Sequence, residues 1–424
     1  MKKDRAKDDG EAAGIATRRG FLLGAGGAIA GAGLTGGAAV AAAPATAPRL
    51  EPFHGRHQAG IVTPQQSHSY FLAFDLTSGK RDDLVRLLRD WTAAAARMAG
   101  GETAAILNKD ADAAPLDSGE ALDLAPARLT LTVGFGAGLF AKDGKDRYGL
   151  AAQRPEALID LPRFNGDQLV EARTGGDLSL QACAEDPQVA FHAARQLARL
   201  AYGVAEVRWA QSGFLSSSRD GGTPRNLMGF KDGTQVPENI EEAVWVGSEG
   251  PAWMRNGSYL VARRIRISLE HWDRTELSFQ EEVVGRHKYS GAPLGKKDEK
   301  DALDLDRTDA DGNPVIPETA HVRLAAAESN GGAQIFRRGY SYNDGVSFTA
   351  ERWPPWRQGM MYDSGLFFIA YQRDPRRGFV PIFEKMSKLD MMNQYVTHVG
   401  GGLFACPGGT AEGEFIGQRL FDSV

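Results

Sequence analysis

An aspartate framed by glycines is the first candidate for chemistry in this 424-residue chain. Gly229-Phe230-Lys231-Asp232-Gly233-Thr234 has the composition of a turn, because glycine supplies unusual dihedrals and aspartate bonds the local backbone. The apolar Leu227, Met228 and Phe230 predict that this turn packs against a neighbour. A carboxylate presented in such a setting is suited to moving protons. The second stretch is His321-Val322-Arg323-Leu324, followed by Ile335-Phe336-Arg337-Arg338-Gly339-Tyr340-Ser341-Tyr342. Consecutive arginines on a strand point to opposite faces, so one of Arg337 and Arg338 turns inward and needs an anion. That arginine makes either a rim salt bridge or a cationic group over a reactive centre.

Other chemistries are excluded by spacing. The eight histidines include no His-Glu-x-x-His pair, so the zincin arrangement is absent. No Gly-x-Ser-x-Gly marks a nucleophile elbow. Neither a phosphate-binding Gly-x-x-x-x-Gly-Lys-Ser/Thr nor a Cys-x-x-Cys-His is present. His54, His57 and His68 could share a metal, but without carboxylates they read better as an entry segment. Two cysteines support neither a disulfide scaffold nor a four-thiolate centre. A formal net charge of −5 argues against general nucleic-acid binding.

The elements that must position these residues repeat a rhythm. Ser69–Leu76 reads as a buried strand, and Asp82–Met98 places Leu84, Leu87, Leu88 and Trp91 at helical spacing. Arg128–Phe135 alternates as a strand, Ala190–Ala201 is helical, and Val204–Trp209 returns as a strand. In the second half a strand starts at Gly257 and runs to about Leu269. A helix follows over 273–285 with Asp273 as its cap. Ala333–Arg338 is strand-like, Leu366–Tyr371 is a central strand, and Phe379–Leu389 closes as a helix. Ser69-Tyr70-Phe71-Leu72-Ala73 and Ser258-Tyr259-Leu260-Val261-Ala262 sit at the same point of each half, which predicts a duplicated β-α-β unit. Residues 291–318 are too rich in Lys and Asp to pack and predict a solvated loop.

The first 47 residues are an address rather than a fold. Thr17-Arg18-Arg19-Gly20-Phe21-Leu22 precedes an Ala/Gly-rich run to about Ala43, the pattern of a twin-arginine export signal. Its glycines dilute the hydrophobicity that a stable membrane span needs. Cleavage after Ala43, Ala45 or Ala47 is compatible with the small-residue pattern.

Gly229-x-x-Asp232-Gly233, His321 and Arg337-Arg338-Gly339-Tyr340, in that order, resemble the dye-decolourising peroxidases. Pro52-Phe53-His54-Gly55-x-His57, Gly285-Arg286-His287-Lys288, Gly291-Ala292-Pro293-Leu294 and Gly400-Gly401-Gly402-Leu403-Phe404 add to the resemblance, which extends from Pro52 to Phe421. With the leader, the chain is similar to the exported subgroup, which includes the haem-binding component of a ferrous-iron uptake system. The resemblance implies an α+β fold of two ferredoxin-like units with antiparallel sheets, of the dimeric α+β barrel type. The corresponding domains are 1–47 as signal peptide, 48–215 as the first unit and 216–424 as the haem-binding unit. It also implies one non-covalent haem b per chain.

By the match, His321 is the proximal iron ligand and Asp374 the acid that accepts its other N–H. Asp232 is the distal acid/base, and Arg337 stabilises developing negative charge. Gly233, Thr234 and Gln235 line the haem edge, and Phe368 walls the pocket. One departure stands out: the family often carries an Asn-Pro-Arg-like segment after the proximal histidine, where this chain has Ala325-Ala326-Ala327-Glu328.

The implied activity is that of an exported haem peroxidase. It would reduce hydrogen peroxide through a ferryl intermediate and oxidise dyes, phenols or other small-molecule or metal donors. Its implied partners are these donors and the twin-arginine export machinery, with no nucleic acid. Large dyes would need electron transfer to surface aromatics; Trp209, Trp245, Trp253, Trp353, Trp356 and Tyr371 are candidates by type, but aromatics at such positions more often belong to the core or a lid, and none is chosen. The alternative is a deferrochelatase-like component of iron uptake with secondary peroxidase activity. A cofactor-free structural protein is a third reading, against which Gly229–Thr234 and His321 both count.

Overall fold

The computed structural model describes residues 49–216, 221–233, 236–350 and 358–422. The expected leader over 1–47, together with Thr234, Gln235, Trp353 and Trp356, lies outside the described residues. Alternation along the first strand sets the architecture. β1 (His68–Leu76) turns Phe71 and Ala73 to one side and Leu72, Phe74 and Leu76 to the other, and both sides are buried. The first half continues through α1 (Arg81–Ala99), β2 (Thr130–Phe135), β3 (Leu178–Ala184), α2 (Pro187–Leu200) and β4 (Ala205–Phe214). Asp186 caps α2 by accepting the Gln188 and Val189 N–H groups on Oδ1, with Pro187 in the first turn.

The second half comprises β5 (Ser258–Ile267), α3 (Leu277–Val284), α4 (His321–Ala325), β6 (Phe336–Arg337), β7 (Tyr340–Ala350), β8 (Gln358–Gln372), α5 (Phe379–Leu389) and β9 (Val396–Cys406). Strands of the first half lie in the order β4-β1-β3-β2, and those of the second in the order β9-β5-β8-β7. In both, the first strand lies between the last and the third, which is the ferredoxin-like arrangement. Every pairing between named strands is antiparallel. Short seams at Phe135↔Ala405 and Phe214↔Ser341 join the halves into a closed barrel. The duplicated pentapeptides occupy equivalent places. Phe71 and Ala73 of β1, and Leu260 and Ala262 of β5, face the interior with Trp209, Phe367 and Phe404. Leu72 and Val261 face outward to the helix layer.

Two expectations are corrected. The helix expected over 273–285 is shortened to α3, and a separate turn, Leu269–Trp272, precedes it, with Asp273 closing that turn instead of opening the helix. Trp272 is drawn inward, where Nε1 donates to Met228 O at 3.0 Å. The Gln280 side chain bonds the carbonyls of Trp272 and Thr275, groups that a continuous helix would have used. The loop over 291–318 has no regular structure but does pack: Glu299 to Leu303 line the cavity described below.

The pairing of β5 with β8 demands a close approach. A Cβ on Gly365 would lie 2.0 Å from Ile265 O. Gly365→Ala is therefore expected to destabilise the chain by about 1–3 kcal/mol, as overpacking does. Chemical denaturation followed by tryptophan fluorescence measures the loss.

Candidate active site

The turn carrying Asp232 is built by its own polar groups. Asn226 Oδ1 accepts the N–H groups of Met228 (3.0 Å) and Phe230 (3.2 Å), and the Asn226 N–H donates to Phe230 O at 2.9 Å. Met228 and Phe230 are buried with Trp272, Val283 and Val284, which anchors the turn. The Asp232 N–H then donates to Pro224 O at 2.9 Å, and the Asp232 side chain is left 29% exposed toward a cavity.

Arg337 approaches from β6, a two-residue strand hung on β8 through Phe336↔Tyr371 and Arg337↔Ala370. Its NH1 donates to Asp232 Oδ1 at 3.0 Å. Arg338 takes the opposite face and is also inward: it is 1% exposed and donates to Thr63 O and Gln66 Oε1. Strand alternation thus sends Arg337 to the cavity and uses Arg338 as a buried peg.

His321 opens the one-turn helix α4. Its Nδ1 lies 2.7 Å from Asp390 Oδ2. Asp390 is almost fully buried, its Oδ1 accepts the Met392 N–H at 2.8 Å, and its own N–H donates to Met386 O at 3.0 Å. Burial pushes the imidazole pKa down, but the Asp390 carboxylate more than offsets this and leaves it raised. Asp374, expected in this role, is elsewhere. It chelates Arg376, accepting from Nε at 3.0 Å and from NH2 at 2.8 Å, and lies in the turn after β8. The acid beside His321 is Asp390, at the end of α5. Sequence reasoning missed it because an aspartate closing a helix is first of all a turn residue.

Asp232, Gly233, His321, Arg337, Phe368 and Asp390 all line one cavity of about 480 Å³, a size typical of small-molecule and cofactor sites. Thr234 and Gln235 lie outside the described residues, and Asp374 is not among the lining residues. Apolar walls come from Ile267, Val284, Leu366, Phe368, Phe383 and Met386. Among the described residues there is no cluster of His, Cys, Asp and Glu able to hold a bare metal ion.

The lining fits a haem. With Nδ1 engaged by Asp390, the other ring nitrogen of His321 is the one left for iron. The apolar walls suit a macrocycle, and Arg286 and Arg337 supply cationic side chains for its carboxylates. Neither cysteine lines the cavity; Cys183 and Cys406 are buried and free elsewhere.

Comparison with known proteins gives the same answer. Residues 58–215 match the family model for the N-terminal part of Dyp-type peroxidases, and residues 223–411 match the model for the C-terminal part. The dye-decolorizing peroxidase of Thermobifida fusca is 38% identical over 444 residues, covering 96% of this chain and 97% of that protein. The deferrochelatase of Escherichia coli K12 is 38% identical over 386 residues, 87% of each. The structure of ferric DtpA from Streptomyces lividans superposes with a TM-score of 0.80 at 41% identity, covering 90% of this chain and 100% of that one. With the family model spanning both halves of the barrel and the cavity furnished for haem, the chain belongs to the Dyp-type peroxidases, haem-dependent oxidoreductases that take hydrogen peroxide as acceptor.

Proposed function

We propose that the chain carries one non-covalent haem b on His321 and that Asp232 and Arg337 perform the proton and charge work on peroxide. The observation that carries this reading is the Asp232–Arg337 pair lining the same cavity as the Asp390-bonded His321. When bound, haem supplies the redox-active iron that accepts the oxidising equivalents of peroxide and passes them to a donor. The Arg337 bond occupies Asp232 Oδ1 and leaves Oδ2 to take the first proton of hydrogen peroxide. Asp232 returns that proton to the far oxygen, which departs as water. The Arg337 guanidinium offsets the negative charge that gathers on this oxygen as the bond breaks. Asp390 holds the imidazole in one tautomer and raises its basicity as a ligand.

Export by the twin-arginine route is part of the same proposal, supported by Arg18-Arg19 and the Ala/Gly-rich run after them. No helix among the described residues is long and apolar enough to cross a membrane. The donors are small aromatic molecules or metal ions. The iron-uptake reading is not favoured over the peroxidase, since relatives bearing either name are similarly identical to this chain.

The first test is an absorption spectrum of haem-loaded protein before and after one equivalent of hydrogen peroxide. A Soret band that changes within seconds and recovers on addition of a donor supports the peroxidase. A band that only bleaches favours haem handling. His321→Ala is expected to lose most bound haem, read from the ratio of Soret to protein absorbance. Asp232→Asn is expected to keep haem but react with peroxide about 10²–10⁴-fold more slowly in stopped flow. Loading with haem at a hundredfold its Kd is expected to raise stability by about 2.7 kcal/mol over the haem-free chain, seen as a higher Tm.

A further inference from the structure

The Lys/Asp-rich segment after Gly291 reaches back to the turn that carries Asp232. The Lys231 ammonium forms an ion pair with the Glu299 carboxylate, and both side chains are largely sheltered, at 23% and 16% exposure. Both residues line the cavity. Gly291 makes room for this pair: a Cβ there would lie 2.6 Å from Lys231 Cδ and 3.3 Å from Glu299 Cγ. Its φ of +82° also places it in the region that favours glycine. The buried Arg286 joins the main chains on either side, with NH1 donating to Gly291 O at 2.8 Å and to Glu299 O at 3.0 Å. Desolvation pushes the Glu299 carboxyl up, but its bonds to Lys231 and Thr223 and the charges of Lys231 and Arg286 more than offset this and leave it lowered. Glu299 is therefore a resident anion, held where a cation waits for it.

That cation is one residue from Asp232. An ammonium freed beside a carboxylate competes for it, and Arg337 already holds one Asp232 oxygen. We propose that Glu299 is a positioning residue for the peroxide chemistry: by holding Lys231 it fixes the 229–233 turn and keeps a second cation off the Asp232 carboxylate. This rests on the reading of Asp232 as the group that moves the peroxide proton. Glu299 touches neither peroxide nor haem in this role. It acts through Lys231 and the turn.

The test uses the full haem-loaded chain with Glu299→Gln, Lys231→Met and the double variant. Three quantities are read: haem content, the second-order rate with hydrogen peroxide, and amide hydrogen exchange of residues 229–233. Loss of a sheltered charge-assisted bond predicts about tenfold faster exchange and an about tenfold slower peroxide reaction in Glu299→Gln, with haem content unchanged. The double variant should fall no further than the worse single, because the two residues act as one unit. Glu299→Asp, which keeps the charge on a shorter arm, should recover part of the rate. It also serves as the test if the amide variant does not fold. The proposal is overturned if exchange stays within about twofold of the parent, or if exchange rises while the peroxide rate holds within about twofold. A loss of haem in Glu299→Gln also overturns it, because the residue would then be holding the cofactor. Asp232→Asn is run alongside: an unchanged peroxide rate there defeats the acid/base reading, while the exchange data still judge the Lys231–Glu299 pair.

Discussion

The bond between His321 and Asp390 is the constraint on which the site depends. A five-residue helix such as α4 has little stability of its own, because nucleation costs more than so few hydrogen bonds return. Its imidazole is therefore oriented from outside. Asp390 does this with both oxygens committed, one to His321 and one to the Met392 N–H, and with its own N–H bonded to the last turn of α5. α5 in turn is fixed by Phe379 and Phe383 against the barrel. Orientation of the ring thus passes from barrel to helix to cap to imidazole.

The opposite wall is fixed by a different device. β6 is only two residues long, too short to hold a side chain in place by ladder bonds alone. Arg338 supplies the missing rigidity, with its guanidinium buried against Thr63 and Gln66, far away in sequence. A peg on one face of a strand fixes the side chain on the other, and so Arg337 meets Asp232 at a defined place. The carboxylate comes from a turn whose stiffness lies in Asn226, Met228 and Phe230.

Legibility in the sequence followed the range of the interactions. α1, α5, β1 and the two matching pentapeptides were plain, because period and composition are local signals. Asp232, Arg337 and His321 were found through motif order, although 105 residues separate the first pair. Asp390 was not, since 69 residues separate it from His321 and no local feature ranks it above Asp374. Both close regular elements, and only packing decides which one faces the ring. The 291–318 loop misled for a related reason: its charges are mostly solvated, but Glu299 has a sheltered cation to answer. Composition averages over a segment, whereas a site uses single residues from it.

Two halves with one strand order have produced one cavity, and the difference lies in how each sheet is covered. In the first half a single nineteen-residue helix, α1, lies over the outer face, its Trp91 Nε1 bonded to Leu197 O of α2. In the second half the corresponding connection, from β5 to β7, is broken into the short helices α3 and α4 and a long irregular loop. These cannot close over Ile267 of β5 or Leu366 and Phe368 of β8, and the cavity is the space they leave. Irregular backbone there also brings chemistry that a continuous helix could not: His321 at a helix start, Glu299 from the loop and Arg337 from a short strand all converge on one point. Function in this chain therefore arises where the duplicated plan is least regular, while the intact copy and the shared barrel hold the wall against which that irregularity is built.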